Sequence, residues 1–149
     1  MNTPMRPRPT ADADSAYFWA KCAYGELYGQ RCGNCQTWRW PPRRYCPACH
    51  AAQPVWEKLP GTGTIVGLVI QHRVMDPAFG DEAPLAIVHV RIDGTDGEMV
   101  LVSRLKRWEW MNASVGSRVT VVLDDTGDEP VLPTFKILHN KEEEARPHG

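Results

Sequence analysis

Two Cys-x-x-C units, Cys32-Gly33-Asn34-Cys35 and Cys46-Pro47-Ala48-Cys49, constrain the fold of this chain more than any other feature. Two intervening residues let one tight turn present both sulfurs of a pair to a single ion. Two such pairs complete the tetrahedral four-thiolate shell of a zinc site, with zinc–sulfur bonds of about 2.3 Å. Residues 36–45, between the pairs, read as a short hairpin around Trp38, Trp40 and Pro41-Pro42, and Gly33 suits a knuckle that brings its backbone close to the metal. So small a module has too little core to fold alone, and metal binding supplies much of its folding free energy. Iron in a rubredoxin-type centre takes the same ligands. The preference of closed thiolate sites for zinc favours one zinc ion held by Cys32, Cys35, Cys46 and Cys49. A thioredoxin-like dithiol needs one Cys-x-x-C within a βαβ unit, and that pattern is missing. Four thiolates leave no open coordination position, so the expected role is structural. Cys22, apart from the pairs, reads as a small core residue, and His50 as an exposed turn residue.

Length and charge bound the rest. The 149 residues suit a small module plus one compact domain, and 42% hydrophobic with 23% charged residues predicts a packed core. The net charge of −1 gives no global attraction to nucleic acid or acidic lipid. The longest apolar runs, 65–70 and 85–90, are strand-sized and far short of the roughly 18 residues of a membrane span. Residues 1–10 lack the apolar centre of a signal peptide, so a cytoplasmic location with no membrane partner is expected. In a reducing compartment five cysteines point to metal rather than to disulfides.

Along the chain, residues 1–13, with Pro4, Pro7 and Pro9, read as a disordered N-terminus. Residues 14–31 read as a helix and a lead-in strand. Asp14 or Ser15 is the N-cap, the apolar residues 17–24 recur at helical spacing, and Gly25 takes the left-handed position that ends the helix. Residues 32–58 form the zinc ribbon, with 51–58 as a connector. Residues 59–139 form a β domain with strands at 61–74, 85–92, 98–103, 117–123 and 131–138, the last weakened by Pro133. Gly63 and Gly67 inside the long first strand mark bulges or barrel corners. Residues 140–149, with Glu142, Glu143 and Glu144, read as a flexible tail. The predicted class is mainly β: an N-terminal helix, a ribbon and a five-stranded Greek-key barrel of the OB type. A small sandwich or SH3-like barrel has much the same strand pattern.

Six tryptophans, with Arg31, Arg39, Arg43 and Arg44 near two of them, have three readings. Packing of the ribbon comes first, a protein interface second and a stacking surface for single-stranded nucleic acid third. His72, His89, Asp76, Asp81 and Glu82 make no nucleophile–base set, and Gly61-Thr62-Gly63-Thr64 leads into a strand rather than the helix a phosphate loop needs. Independent catalysis is not expected.

An ordered series of stretches resembles one family. It comprises Tyr17-Phe18-Trp19, Gln30-Arg31-Cys32-Gly33-Asn34-Cys35, Trp40-Pro41-Pro42-Arg43, Tyr45-Cys46-Pro47-Ala48-Cys49, Gly61-Thr62-Gly63-Thr64-Ile65, His72, Pro77-Ala78-Phe79, Pro84, residues 90–93, Val115-Gly116 and Leu132-Pro133-Thr134-Phe135. Together they resemble the acyl-CoA-associated zinc-ribbon/OB-fold proteins, domain-of-unknown-function family thirty-five. The resemblance implies a rubredoxin-like ribbon and a C-terminal OB-fold. It implies a non-catalytic accessory subunit of a thiolase-like or lipid-transfer-type enzyme, such as a thiolase, a steroid side-chain retro-aldolase or an acyltransferase. It further implies a two-plus-two heterotetramer that shares an acyl-CoA channel. Where family members often carry an Asn-rich or Gly-Cys-Asp segment, this chain has residues 103–110, whose Arg104, Lys106 and Arg107 are either CoA-phosphate contacts or a solvated turn. Trp38, Trp40, Arg43, Phe79, Arg104 and Lys106 are the candidate contacts to partner or CoA. Single-stranded nucleic-acid binding is the second functional reading.

Overall fold

The computed structural model describes residues 5–124 and 130–139; the expected tail and most of the expected turn at 124–130 lie outside them. Among the described residues the chain is mainly β, with one α-helix followed by a small three-stranded sheet and a larger five-stranded one.

Helix α1 spans Ala16–Ala23 and buries Phe18 and Cys22. Ser15 is its N-cap but makes no side-chain cap bond. Asp12 does that work one turn earlier: its carboxylate accepts from the backbone N–H groups of Asp14 and Ser15 and from the Ser15 hydroxyl. The helix ends as its glycine predicts. Gly25 has φ +80°, its N–H donates to the Cys22 carbonyl, and the Glu26 N–H donates to that of Lys21. These two bonds satisfy carbonyls that a helix end otherwise leaves open.

In the ribbon, β1 (Tyr28–Cys32) lies between β2 (Trp38–Arg39) and β3 (Pro54–Lys58), both antiparallel to it. Two expectations change here. The hairpin forms between β1 and β2 rather than within 36–45, and the expected connector at 51–58 contains β3, paired with β1 from Tyr28↔Lys58 to Cys32↔Pro54. β3 ends in the adjacent Glu57 and Lys58 and buries none of its five residues, so its hydrophobic pattern is weak; its backbone bonds to β1 hold it in place.

The larger sheet runs β6-β5-β4-β7-β8, from β4 (Thr62–Gln71), β5 (Leu85–Ile92), β6 (Val100–Arg104), β7 (Arg118–Val122) and β8 (Thr134–Ile137). This is the OB-type order, with the long β4 pairing both neighbours and a register shift between Ile65 and Gly67 where the bulge was expected. Gly63 has to lack a side chain: a Cβ would stand 2.6 Å from the Arg91 carbonyl oxygen. Period-2 alternation turns Ala86, Val88, Val90 and Ile92 inward to meet Ile65, Leu101, Val119, Phe135 and Ile137 in one core.

Among the described residues no ladder closes the barrel. Its edges, β6 and β8, meet at one parallel bridge, Leu105↔Phe135, with the Lys106 N–H donating to the Phe135 carbonyl. Beyond that point the segment facing β6 holds Pro130 and Pro133, which have no N–H to give. The sheet therefore splits along a seam there, bridged by the Ser103 hydroxyl donating to the Pro133 carbonyl. Ribbon and barrel are joined by the Leu59 N–H donating to Leu27 and by the Trp38 N–H donating to the Glu98 carboxylate.

Candidate metal centre and adjoining cleft

The two Cys-x-x-C units fold alike. The Cys32 N–H donates to the Thr37 carbonyl and the Gln36 N–H returns to Cys32; the Cys46 N–H donates to Ala51 and the His50 N–H returns to Cys46. In each, the residue after the second cysteine is left-handed: Gln36 at φ +69° and His50 at φ +66°. His50 is exposed, in agreement with its reading as a turn residue. Gly33 answers to a different neighbour than expected. Its N–H donates to the Gln53 carbonyl at 2.7 Å, and a Cβ would lie 3.1 Å from that oxygen, so the glycine lets β3 approach.

These turns bring the sulfurs of Cys32, Cys35, Cys46 and Cys49 within 4.8 Å of one another. Cys32 and Cys49 are 3.6 Å apart and Cys35 and Cys46 3.5 Å. A tetrahedron with bonds of about 2.3 Å needs sulfur–sulfur edges of about 3.8 Å, so the cluster fits a four-thiolate metal ion. The surroundings favour the thiolate at Cys32 and at Cys46. The backbone N–H groups of Cys35 and Asn34 point at the Cys32 sulfur; with the Arg39 guanidinium they pull its thiol down to about 5 against the cost of burial. Cys46 is lowered in the same way by the N–H groups of Cys49 and Ala48. Cys22 is the opposite case: fully buried in the core, it is pushed up to about 12 and is inert.

A cleft of about 640 Å³ opens along the seam of the larger sheet. Its apolar walls come from α1 (Phe18 and Trp19), the ribbon (Trp40) and the barrel (Ile87, Leu101 and Leu132). Phe18 packs edge-on against both tryptophans, with ring centroids 5.0 Å apart in each pair. On one wall, the Arg6 and Arg104 guanidinium groups stand 4.6 and 5.6 Å from the Phe79 ring centre, and both pair with Glu82. Lys106 pairs with Asp124 at 2.9 Å on the rim. Arg6 also donates to the Ala78 carbonyl, so a stretch whose proline content predicts disorder is tied to the barrel at that point.

The six candidate contacts thus separate. Trp40, Phe79, Arg104 and Lys106 line one cleft, although they come from the ribbon, a 3-10 helix (Pro77–Glu82), β6 and the segment after it. Trp38 is a correction. It is 5% exposed, sealed over Gly29, where a Cβ would meet its ring at 2.8 Å, and presents no surface to a partner or to CoA. Arg43 is exposed and away from the cleft, its N–H donating to the Gln30 side chain. Glu82, the carboxylate shared by two arginines, had no signal in the sequence beyond its charge, because Arg6 and Arg104 are remote along the chain.

Two family models adjoin along the chain: the ChsH2 rubredoxin-like zinc ribbon domain at residues 19–55 and the ChsH2 C-terminal OB-fold domain at 56–124. A probable enoyl-CoA hydratase alpha subunit of Thermomonospora curvata is 30% identical over 139 residues; the match covers 93% of this chain but only 42% of that relative. Among solved structures, a chain described as Ltp2-ChsH2(DUF35) aldolase superposes with a TM-score of 0.76 at 27% identity, covering 87% of this chain and 98% of that one. A DUF35 protein of unknown function from Sulfolobus solfataricus shares the fold, with a TM-score of 0.60, 14% identity and coverage of 86% and 87%. This chain belongs to the DUF35 family of zinc-ribbon/OB-fold proteins, of the ChsH2 type.

Proposed function

We propose that the chain is a non-catalytic accessory subunit of a thiolase-like acyl-CoA enzyme, which it stabilises and whose acyl-CoA channel it helps to form. The observation that carries this reading is its likeness, over nearly the whole of that chain, to the Ltp2-ChsH2(DUF35) aldolase chain. A lipid-transfer-type thiolase acting as a retro-aldolase is accordingly the first partner to test, in a two-plus-two assembly in the cytoplasm.

The cleft supports the reading in its chemistry. Aromatic and aliphatic walls suit the apolar part of a thioester, and Arg104 and Lys106, paired with Glu82 and Asp124, are cations of its lining whose charge suits phosphate or carboxylate oxygens. Cys32, Cys35, Cys46 and Cys49 hold one zinc ion, which fastens the ribbon, and with it Trp40, against α1 and the barrel.

Co-expression with a thiolase-like partner tests the proposal. The expected result is a stable complex of two chains of each kind by light scattering, with acyl-CoA turnover by the partner that collapses when this chain is left out. Turnover of acyl-CoA by the isolated chain would refute it.

A further inference from the structure

Arg39 is the largest of the fully buried side chains, at 1% exposure. Its guanidinium donates to three backbone carbonyls: Arg43 at 3.1 Å, Arg44 at 3.2 Å and Ala51 at 3.1 Å. All three flank the second Cys-x-x-C unit, whereas Arg39 itself stands on β2, immediately beyond the first. No carboxylate pairs with it among the described residues, and its Nε–H is buried without an acceptor. A buried cation that lacks a counter-charge is costly and needs one. An adjacent source of negative charge is the sulfur cluster, since two of the carbonyls that the guanidinium binds, those of Arg44 and Ala51, each stand two residues from a cysteine of the second unit, Cys46 and Cys49. Four thiolates around a divalent ion carry a net charge of about −2.

We infer that Arg39 is the positioning residue of the metal centre: its buried charge offsets the dianionic four-thiolate site, and its carbonyl bonds hold the second Cys-x-x-C unit in register with the first. This deepens, and rests on, the reading of the four cysteines as metal ligands. Groups that hydrogen-bond to metal ligands typically contribute 10- to 100-fold in metal affinity. A purely structural arginine would brace the loop without altering the electronics of the sulfurs. The two roles are therefore separable by spectroscopy.

The test uses the full chain carrying zinc, and the same chain reconstituted with cobalt(II). For Arg39→Met, transfer of zinc to a chromogenic chelator is expected to run about 10- to 100-fold faster than wild type. The sulfur-to-cobalt charge-transfer band should move to lower energy, because thiolate lone pairs relieved of a neighbouring cation give up an electron more easily. Arg39→Lys, which restores the charge but not the planar fork, should fall between the two in both readouts, and it decides the matter if the methionine variant does not fold. Wild-type release and an unmoved band in the variants would overturn the inference. So would faster release with an unmoved band, which marks a loop brace alone. A wild-type chain that takes up neither zinc nor cobalt would overturn the metal reading itself, and that outcome is recognisable before any variant is made.

Discussion

Phe79→Ala isolates the cleft from the rest of the fold. The ring sits on the 3-10 helix Pro77–Glu82, which has no buried residues, so truncation leaves no sealed cavity. What is lost is the surface on which Arg6 and Arg104 rest, at 4.6 and 5.6 Å from the ring centre. Each such contact contributes about 0.5–1 kcal/mol at a partly exposed site. The pair therefore amounts to about 1–2 kcal/mol. For a chain near this size each kcal/mol moves the melting temperature by about 2–4 °C. Calorimetry of the isolated chain should show a drop of about 2–8 °C with an unchanged zinc content. A double-mutant cycle with Arg104→Met sharpens the test: contacting residues should couple by about 0.5–1 kcal/mol. In the complex, the same variant should weaken acyl-CoA turnover by the partner. A coupling energy indistinguishable from zero would refute the stacking argument, and undiminished turnover would remove Phe79 from the proposed channel.

Three further outcomes are expected. Cys46→Ala should cut bound zinc, measured by elemental analysis, from about one ion per chain to a small fraction, and limited proteolysis should then open 32–58 while the larger sheet stays protected. Gly63→Ala should destabilise the chain by about 1–3 kcal/mol in urea titration, because the new methyl group would meet the Arg91 carbonyl oxygen at 2.6 Å and force β4 and β5 apart. Asp93 is held below its ordinary pKa of about 3.9, first by the Arg118 guanidinium and then by the Thr62 hydroxyl. Its contribution is therefore complete above about pH 4 and is lost as pH falls through the folded-state value. Asp93→Asn should cost about 0.5–1 kcal/mol at pH 7, as befits a half-exposed pair, and the difference should vanish in acid.

The parts of this molecule legible in the sequence are those in which neighbours along the chain are also neighbours in space. The Cys-x-x-C spacing declares its own turn, Gly25 ends α1, and the alternation across 85–92 becomes a strand of those bounds. β3 was not legible, because its half-exposed side chains carry no clear alternation and its partner strand is more than twenty residues away. The burial of Trp38 was legible only as the first of three readings of a tryptophan among arginines, and Gly29 beneath its ring is what decides for it.

Which four cysteines the fold gathers into a candidate metal site was legible in the sequence alone, because two residues between cysteines let one tight turn point both sulfurs of a pair the same way. The mainly β architecture followed as well, from strand-length alternation and turn chemistry. Only the tertiary structure decided that the barrel stays split beside Pro130 and Pro133, and that the gap faces Trp40 of the ribbon and Phe18 of the helix. Tertiary structure likewise decided that Glu82 clamps two arginines and that Arg39 is buried among the carbonyls flanking the second Cys-x-x-C unit. Those outcomes depend on contacts between residues remote along the chain, and local pattern carries no record of which distant surface a side chain will meet.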